Sequence, residues 1–145
     1  MFVSLSPYGI REIKMNQFTL TVRISKNHSH YSHDIVSNGT LMILFGDAIT
    51  GLIGNLDHDE SLLERWENAI FSQPIKPGDF ISIQASIIKK TKLKRHIELI
   101  ATRILKQSID NSSSLSTCQD IVASANAVTV IPYSAYKRNQ SKEEK

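Results

Sequence analysis

The chain has 145 residues, 17 Lys and Arg against 14 Asp and Glu, a formal net charge of +3 and 41% hydrophobic residues. That length suits one domain with a core of its own, and the apolar share is globular, which excludes disordered and fibrous classes. One cysteine, Cys118, excludes an internal disulfide framework; with no apolar run of membrane-spanning length and no signal-type N-terminus, a soluble cytoplasmic protein is expected.

The positive charge is local. Lys89, Lys90, Lys92, Lys94 and Arg95 place +5 in seven residues, the stretch from Pro132 onward adds +2, and the other 124 residues carry −4. The basic segment lacks interleaved aromatic residues, so nucleic acid is not the expected partner.

Residues 1–15 show no period and contain Pro7 and Gly9, and they read as an N-terminal extension to a domain at 16–132. Phe18, Leu20, Val22 and Ile24 alternate with polar residues, which predicts a half-buried strand. Ser25 to Asp34 is a polar loop. From Ile35 to Gly54, Leu41, Leu44, Phe45, Ala48, Ile49 and Leu52 recur at helical spacing, with Ile43 and Ile53 widening the stripe, so one long buried helix is expected. Ser37 or Asn38 would cap its start, and Gly54-Asn55 would stop it. Strands follow at Trp66 to Phe71, Phe80 to Ile88, Ile97 to Ile104 and Val122 to Ile131, with the basic cluster at the turn between the second and third of these. Asp110 to Ser116 reads as a flexible connector, and 133–145 as a flexible tail. This order gives an α+β domain, one helix on one face of a five-stranded antiparallel sheet. The other face and the edges predict homo-oligomers.

Three groups of residues can carry chemistry. His28, His30 and His33 lie within six residues, beside Tyr31 and Asp34. The cluster fits solvent-exposed loop histidines, acid/base or substrate contact ahead of a helix start, or a metal; no partner at metal-ligand spacing accompanies it, so no metal is assigned. Asp47 interrupts the apolar helix, and neighbouring Gly46 suggests close approach of another element. The Lys89 to Arg95 cluster suits either a solvated hairpin or the phosphates of an anionic ligand. Glu98, between Ile97 and Leu99, reads as solvated.

Pro74-Ile75-Lys76-Pro77-Gly78-Asp79-Phe80-Ile81 between two strands, together with His30-Tyr31 and Leu44-Phe45-Gly46-Asp47, resembles the hotdog-fold acyl-CoA enzymes, and among them the β-aminoacyl-CoA ammonia-lyases that act on 3-aminobutyryl-CoA or β-alanyl-CoA. The likeness runs from about Phe18 to Ile131. It implies a long central helix wrapped by a five-stranded antiparallel sheet, and a homodimer or a higher dimer of dimers or trimer of dimers. It also implies an acyl-CoA thioester at the subunit interface, coenzyme A entering as part of the substrate with no tightly bound cofactor, nucleic acid or membrane. By the same likeness His30 or His28 would be the base and Tyr31 an acid or orienting group. Asp47 would lie near the partner subunit, Asn38 and Gly39 would polarise the thioester carbonyl, and Lys94 and Arg95 would hold the CoA phosphates. Where the family has an acid, a glycine pair and a glutamate, this chain has His28, Ser32-His33 and Ile70. The alternatives are a thioesterase, with Asp34 or Asp47 activating water, and a thioester-binding protein without catalysis.

Overall fold

A computed structural model describes residues 16–28, 31–108 and 113–143. The expected extension at 1–15, His30 and the middle of the expected connector lie outside the described residues. The elements run β1 (Gln17–Arg23), two single 3-10 turns (Lys26–His28 and Ser32–Asp34), α1 (Asn38–Asp57), β2 (Leu62–Phe71), β3 (Phe80–Lys90), β4 (Lys94–Gln107), β5 (Leu115–Val130) and α2 (Tyr133–Glu143). The five strands form one sheet in the order β1-β3-β4-β5-β2, antiparallel at every neighbour.

Alternation decides which side of the sheet meets α1. Ile81, Ile83 and Ala85 of β3, Ile97, Leu99 and Ala101 of β4, and Ala123, Ala125 and Ala127 of β5 are buried on one face. The β5 alanines leave room for the helix, whose Leu41, Phe45, Ala48, Ile49, Leu52 and Ile53 fill it. Each of the large side chains contributes about 1.5–3 kcal/mol by burial. Phe45 packs on Trp66 of β2, ring centroids 6.3 Å apart. α1 is also long and apolar enough to cross a bilayer by length and composition, contrary to the expectation of no such run. Its Leu41, Phe45, Ala48, Ile49, Leu52 and Ile53 are nevertheless buried against this sheet, while Ile43 is exposed.

Several local expectations are revised. The close approach suggested at Gly46 falls at Gly51, where a Cβ would run into the Phe18 ring, whereas one at Gly46 would meet nothing within 4 Å. The helix continues through Gly54 to Asp57, and His58 takes the left-handed position that ends it (φ 55°, ψ 39°), its N–H donating to Gly54 O at 3.0 Å. β2 begins four residues earlier than its periodicity suggests, because register shifts at Leu63/Arg65 and Trp66/Asn68 break the alternation.

The stretch expected to be a flexible tail is a helix docked on the body. Ala135 of α2 is fully buried, Asn139 Nδ2 donates to Asp57 O at 2.7 Å, and Arg138 Nη2 donates to His58 O at 3.1 Å. Lys92, at the β3–β4 turn, sits over the rings of Tyr133 and Tyr136 at 5.3 and 5.2 Å. Two aromatic rings, an alanine and an amide on adjacent turns give this mostly polar segment a face to dock with.

Candidate active site

The segment between β1 and α1 leads into the helix start. Ser37 caps α1: its Oγ accepts from Gly39 N–H at 3.1 Å and its carbonyl accepts from Thr40 N–H at 3.0 Å. Of the two residues expected to polarise a carbonyl, Gly39 therefore has its N–H occupied. Asn38 is the first-turn residue whose N–H the cap does not engage. The incoming chain is pinned by Val36 N–H donating to Ile75 O at 3.0 Å, and by Tyr31 N–H donating to Ile35 O at 3.2 Å.

This clamp makes one wall of a groove of about 350 Å³, formed by Tyr31, Ile35, Val36 and Asn38. The facing wall is Phe71, Ser72, Gln73 and Pro74, the segment leaving β2. Ser72 and Gln73 N–H both donate to Val122 O of β5, at 2.8 and 3.3 Å, which holds that wall to the sheet. Tyr31 is 60% exposed, so its phenol is open to solvent and ligand. Sequence reasoning found Tyr31 and Asn38 and missed the second wall, of which it noted only the Pro74-to-Asp79 turn.

The other expected residues are spread more widely. His28 Nδ1 accepts from Ser25 N–H at 3.3 Å, so a neutral His28 carries its proton on Nε2. His33 and Asp34 are exposed and both left-handed, with φ of 61° and 59°. Where the resembling family has a glycine, His33 thus sits in backbone that favours glycine; His33→Gly should raise stability by about 0.5–1 kcal/mol in a denaturant titration. Asp47 is exposed on α1, nine residues from Asn38, about 13 Å along the helix axis. One subunit therefore does not bring Asp47 to the Tyr31 groove. Among the described residues no group of three or more His, Cys, Asp or Glu is placed to hold a metal ion.

The basic hairpin is corrected in part. Arg95 is not a free surface cation: its side chain is 2% exposed, and Nε and Nη2 donate to the two carboxylate oxygens of Asp57, each at 2.9 Å. Nη1 donates to Thr91 O at 2.7 Å and Lys94 O at 3.1 Å. Arg95 has the parity of Ile97, Leu99 and Ala101, which points it inward, so it fastens the end of α1 to the hairpin. Lys94 is half-buried, its Nζ 3.1 Å from Glu64 Oε1, and this hydrogen bond holds the Glu64 carboxyl below the usual value for a glutamate. Lys89, Lys90 and Lys92 remain exposed. Glu98 is exposed, as expected.

The fold and these walls define the class. A long helix wrapped by an antiparallel β1-β3-β4-β5-β2 sheet, with a groove at the helix N-terminus, is the hotdog fold, as the sequence led us to expect. The solved β-alanyl-CoA:ammonia lyase from Clostridium propionicum superposes with a TM-score of 0.77, at 19% identity, over 82% of this chain and 87% of that one. A hexameric hotdog fold thioesterase of Campylobacter jejuni superposes with a TM-score of 0.65, at 15% identity, over 81% and 84%. In sequence the chain is similar to the 3-aminobutyryl-CoA ammonia lyase of Acetoanaerobium sticklandii, 28% identical over 116 residues, or 78% of this chain and 92% of that protein. No family model matches. The resemblance read from His30-Tyr31 and Phe45-Gly46-Asp47 is thus repeated over most of the chain.

Proposed function

We propose that this protein is an acyl-CoA-binding hotdog enzyme of the ammonia-lyase type, which adds or removes ammonia or water at the β-carbon of a short-chain acyl-CoA. The observation that carries this reading is the sequence similarity to a 3-aminobutyryl-CoA ammonia lyase along nearly the whole length of that protein. The groove between Tyr31, Asn38 and the Phe71–Pro74 wall is the acyl site. His30 is the base for the α-proton, since the acceptor nitrogen of His28 is taken by Ser25 N–H; Tyr31 is the acid or orienting group, and the α1 N-terminus steadies the enolate oxygen. Coenzyme A enters as part of the substrate, and its phosphates meet the exposed lysines and Lys94 of the β3–β4 hairpin of a partner subunit, because within one subunit that hairpin lies at the opposite end of α1 from the groove, about 28 Å away along the helix.

The active form is a homo-oligomer in the cytoplasm. Ile43, 69% exposed, and Asp47 one turn later lie outside the sheet's wrap on α1, and β2 is an edge strand with Leu62, Leu63 and Ile70 exposed. Both surfaces suit a second copy, and Asp47 reaches the Tyr31 groove of a partner subunit rather than its own. The hexameric assembly of the Campylobacter relative supports this state.

The second reading, thioester hydrolysis, is favoured by the likeness to a hotdog thioesterase and by the solvent-open carboxylate of Asp47, with Asp34 as the other candidate base. Incubation with crotonyl-CoA and ammonia, followed by mass analysis, separates the two. An amino adduct of the thioester is expected, free CoA alone would favour hydrolysis, and CoA thioesters bound but returned unchanged would make the protein a non-catalytic binder.

A further inference from the structure

Gln73 is held in a way that settles which end of its amide is left over. Arg103 Nη2 lies 2.9 Å from the Gln73 oxygen Oε1. A guanidinium has donors and no acceptor, so the amide atom facing it is the oxygen, and the NH₂ is the end available to another molecule. Gln73 lines the groove opposite Tyr31 and Asn38. Arg103 has little freedom to let it turn: its side chain is 13% exposed, Nη2 also donates to Asp120 Oδ2 at 3.0 Å, and Nη1 donates to Pro74 O at 3.2 Å with Asp79 Oδ2 at 3.6 Å.

The groove has a use for that donor. A thioester carbonyl gathering negative charge is best stabilised by more than one hydrogen bond. The helix start supplies Asn38 N–H, while the next two N–H groups are taken by Ser37. We infer that Gln73 is a substrate-binding residue whose NH₂ donates to the thioester carbonyl oxygen from the wall opposite the helix, and that Arg103 is a positioning residue acting through Gln73. This rests on the acyl-CoA reading above. It assigns to the segment after β2 a part in acyl recognition separate from that of the loop before α1.

The test is calorimetric titration of the full chain with crotonyl-CoA and with CoA, which lacks the carbonyl. Gln73→Leu should weaken crotonyl-CoA about tenfold, as expected for one net hydrogen bond, and leave CoA within twofold. Gln73→Glu keeps the shape and the Arg103 contact and replaces the donor by an oxygen, so it should lose at least as much for crotonyl-CoA, with an unchanged unfolding midpoint. Arg103→Lys should weaken crotonyl-CoA several-fold in the wild-type background and add nothing in the Gln73→Leu background, the signature of action through one residue. Wild-type affinity for crotonyl-CoA in either Gln73 variant, or equal losses for CoA and crotonyl-CoA, would overturn the substrate role. Equal losses from Arg103→Lys in both backgrounds would overturn the positioning role. A wild-type chain that binds neither probe overturns the acyl-CoA reading, and this inference with it.

Discussion

Asp57→Ala should destabilise the domain by about 3–5 kcal/mol, because it strands a buried guanidinium. The Arg95 and Asp57 side chains are 2% and 5% exposed, and the pair is bidentate. Attraction between the charges offsets the cost of taking both out of water only while both are present. Removing Asp57 leaves Arg95 with carbonyls alone, and also disturbs the end of α1 whose Asp57 carbonyl receives Asn139 of α2. Arg95→Met combined with Asp57→Leu should recover most of the loss, since apolar groups of similar size need no partner. Chemical denaturation of the two variants checks both values; a loss below about 1 kcal/mol for Asp57→Ala would mean that the guanidinium reaches water. The expected cost sets the pair apart from the Lys94–Glu64 contact, which lies at the surface and is screened by solvent.

The second large effect concerns activity. Tyr31→Phe should lower the turnover of crotonyl-CoA with ammonia about a hundredfold or more, the usual contribution of a positioned proton donor. That is about 2.7 kcal/mol of barrier. Stability should stay within about 0.5 kcal/mol, because Tyr31 is largely exposed and the phenol has no protein partner to lose among the described residues. The paired variant Asp47→Asn gives the contrast. If the chemistry is hydrolysis by a carboxylate-activated water, Asp47→Asn carries the large loss and Tyr31→Phe leaves CoA release nearly untouched. Rates of adduct formation and of CoA release, measured side by side for both variants, decide which residue works on the bond that breaks.

Much of the fold is legible because burial follows a period. Phe18, Leu20 and Val22, and Ile81, Ile83 and Ala85, announce strands, and the Leu41-to-Ile53 stripe announces the helix that covers them. Strand ends are harder to read where bulges reset the period, as at Leu63/Arg65. α2 is missed for a different reason: it is polar, and its docking groups, Ala135, Tyr136 and Asn139, meet partners far away in the sequence. The candidate site divides in the same way. Tyr31 and Asn38 are visible as a reactive loop before a helix cap. Gln73 and Arg103 become a pair only through the pairing of β4 with β5 and the path of the chain after β2. Arg95 and Arg103 do carry a signal, since both keep the parity of the inward residues Ile97, Leu99 and Ala101. A cation at such a position has to find a buried carboxylate or a carbonyl.

The place of β2 in the sheet bears on how the molecule forms. β3, β4 and β5 are neighbours in sequence and can zip together as a meander, whereas β2 precedes them and yet pairs at the far edge, Leu62 against Val130 and Phe71 against Ala123. Its ladder joins residues 52–68 apart in sequence, much as β1 with β3 joins residues 57–69 apart, so both edge strands should form after the meander and open early in hydrogen exchange. The Phe71–Pro74 wall of the groove grows directly out of that strand. A nascent chain would therefore have its meander before it had a binding site, and any ligand or second copy that holds β2 in place would slow the opening of that edge.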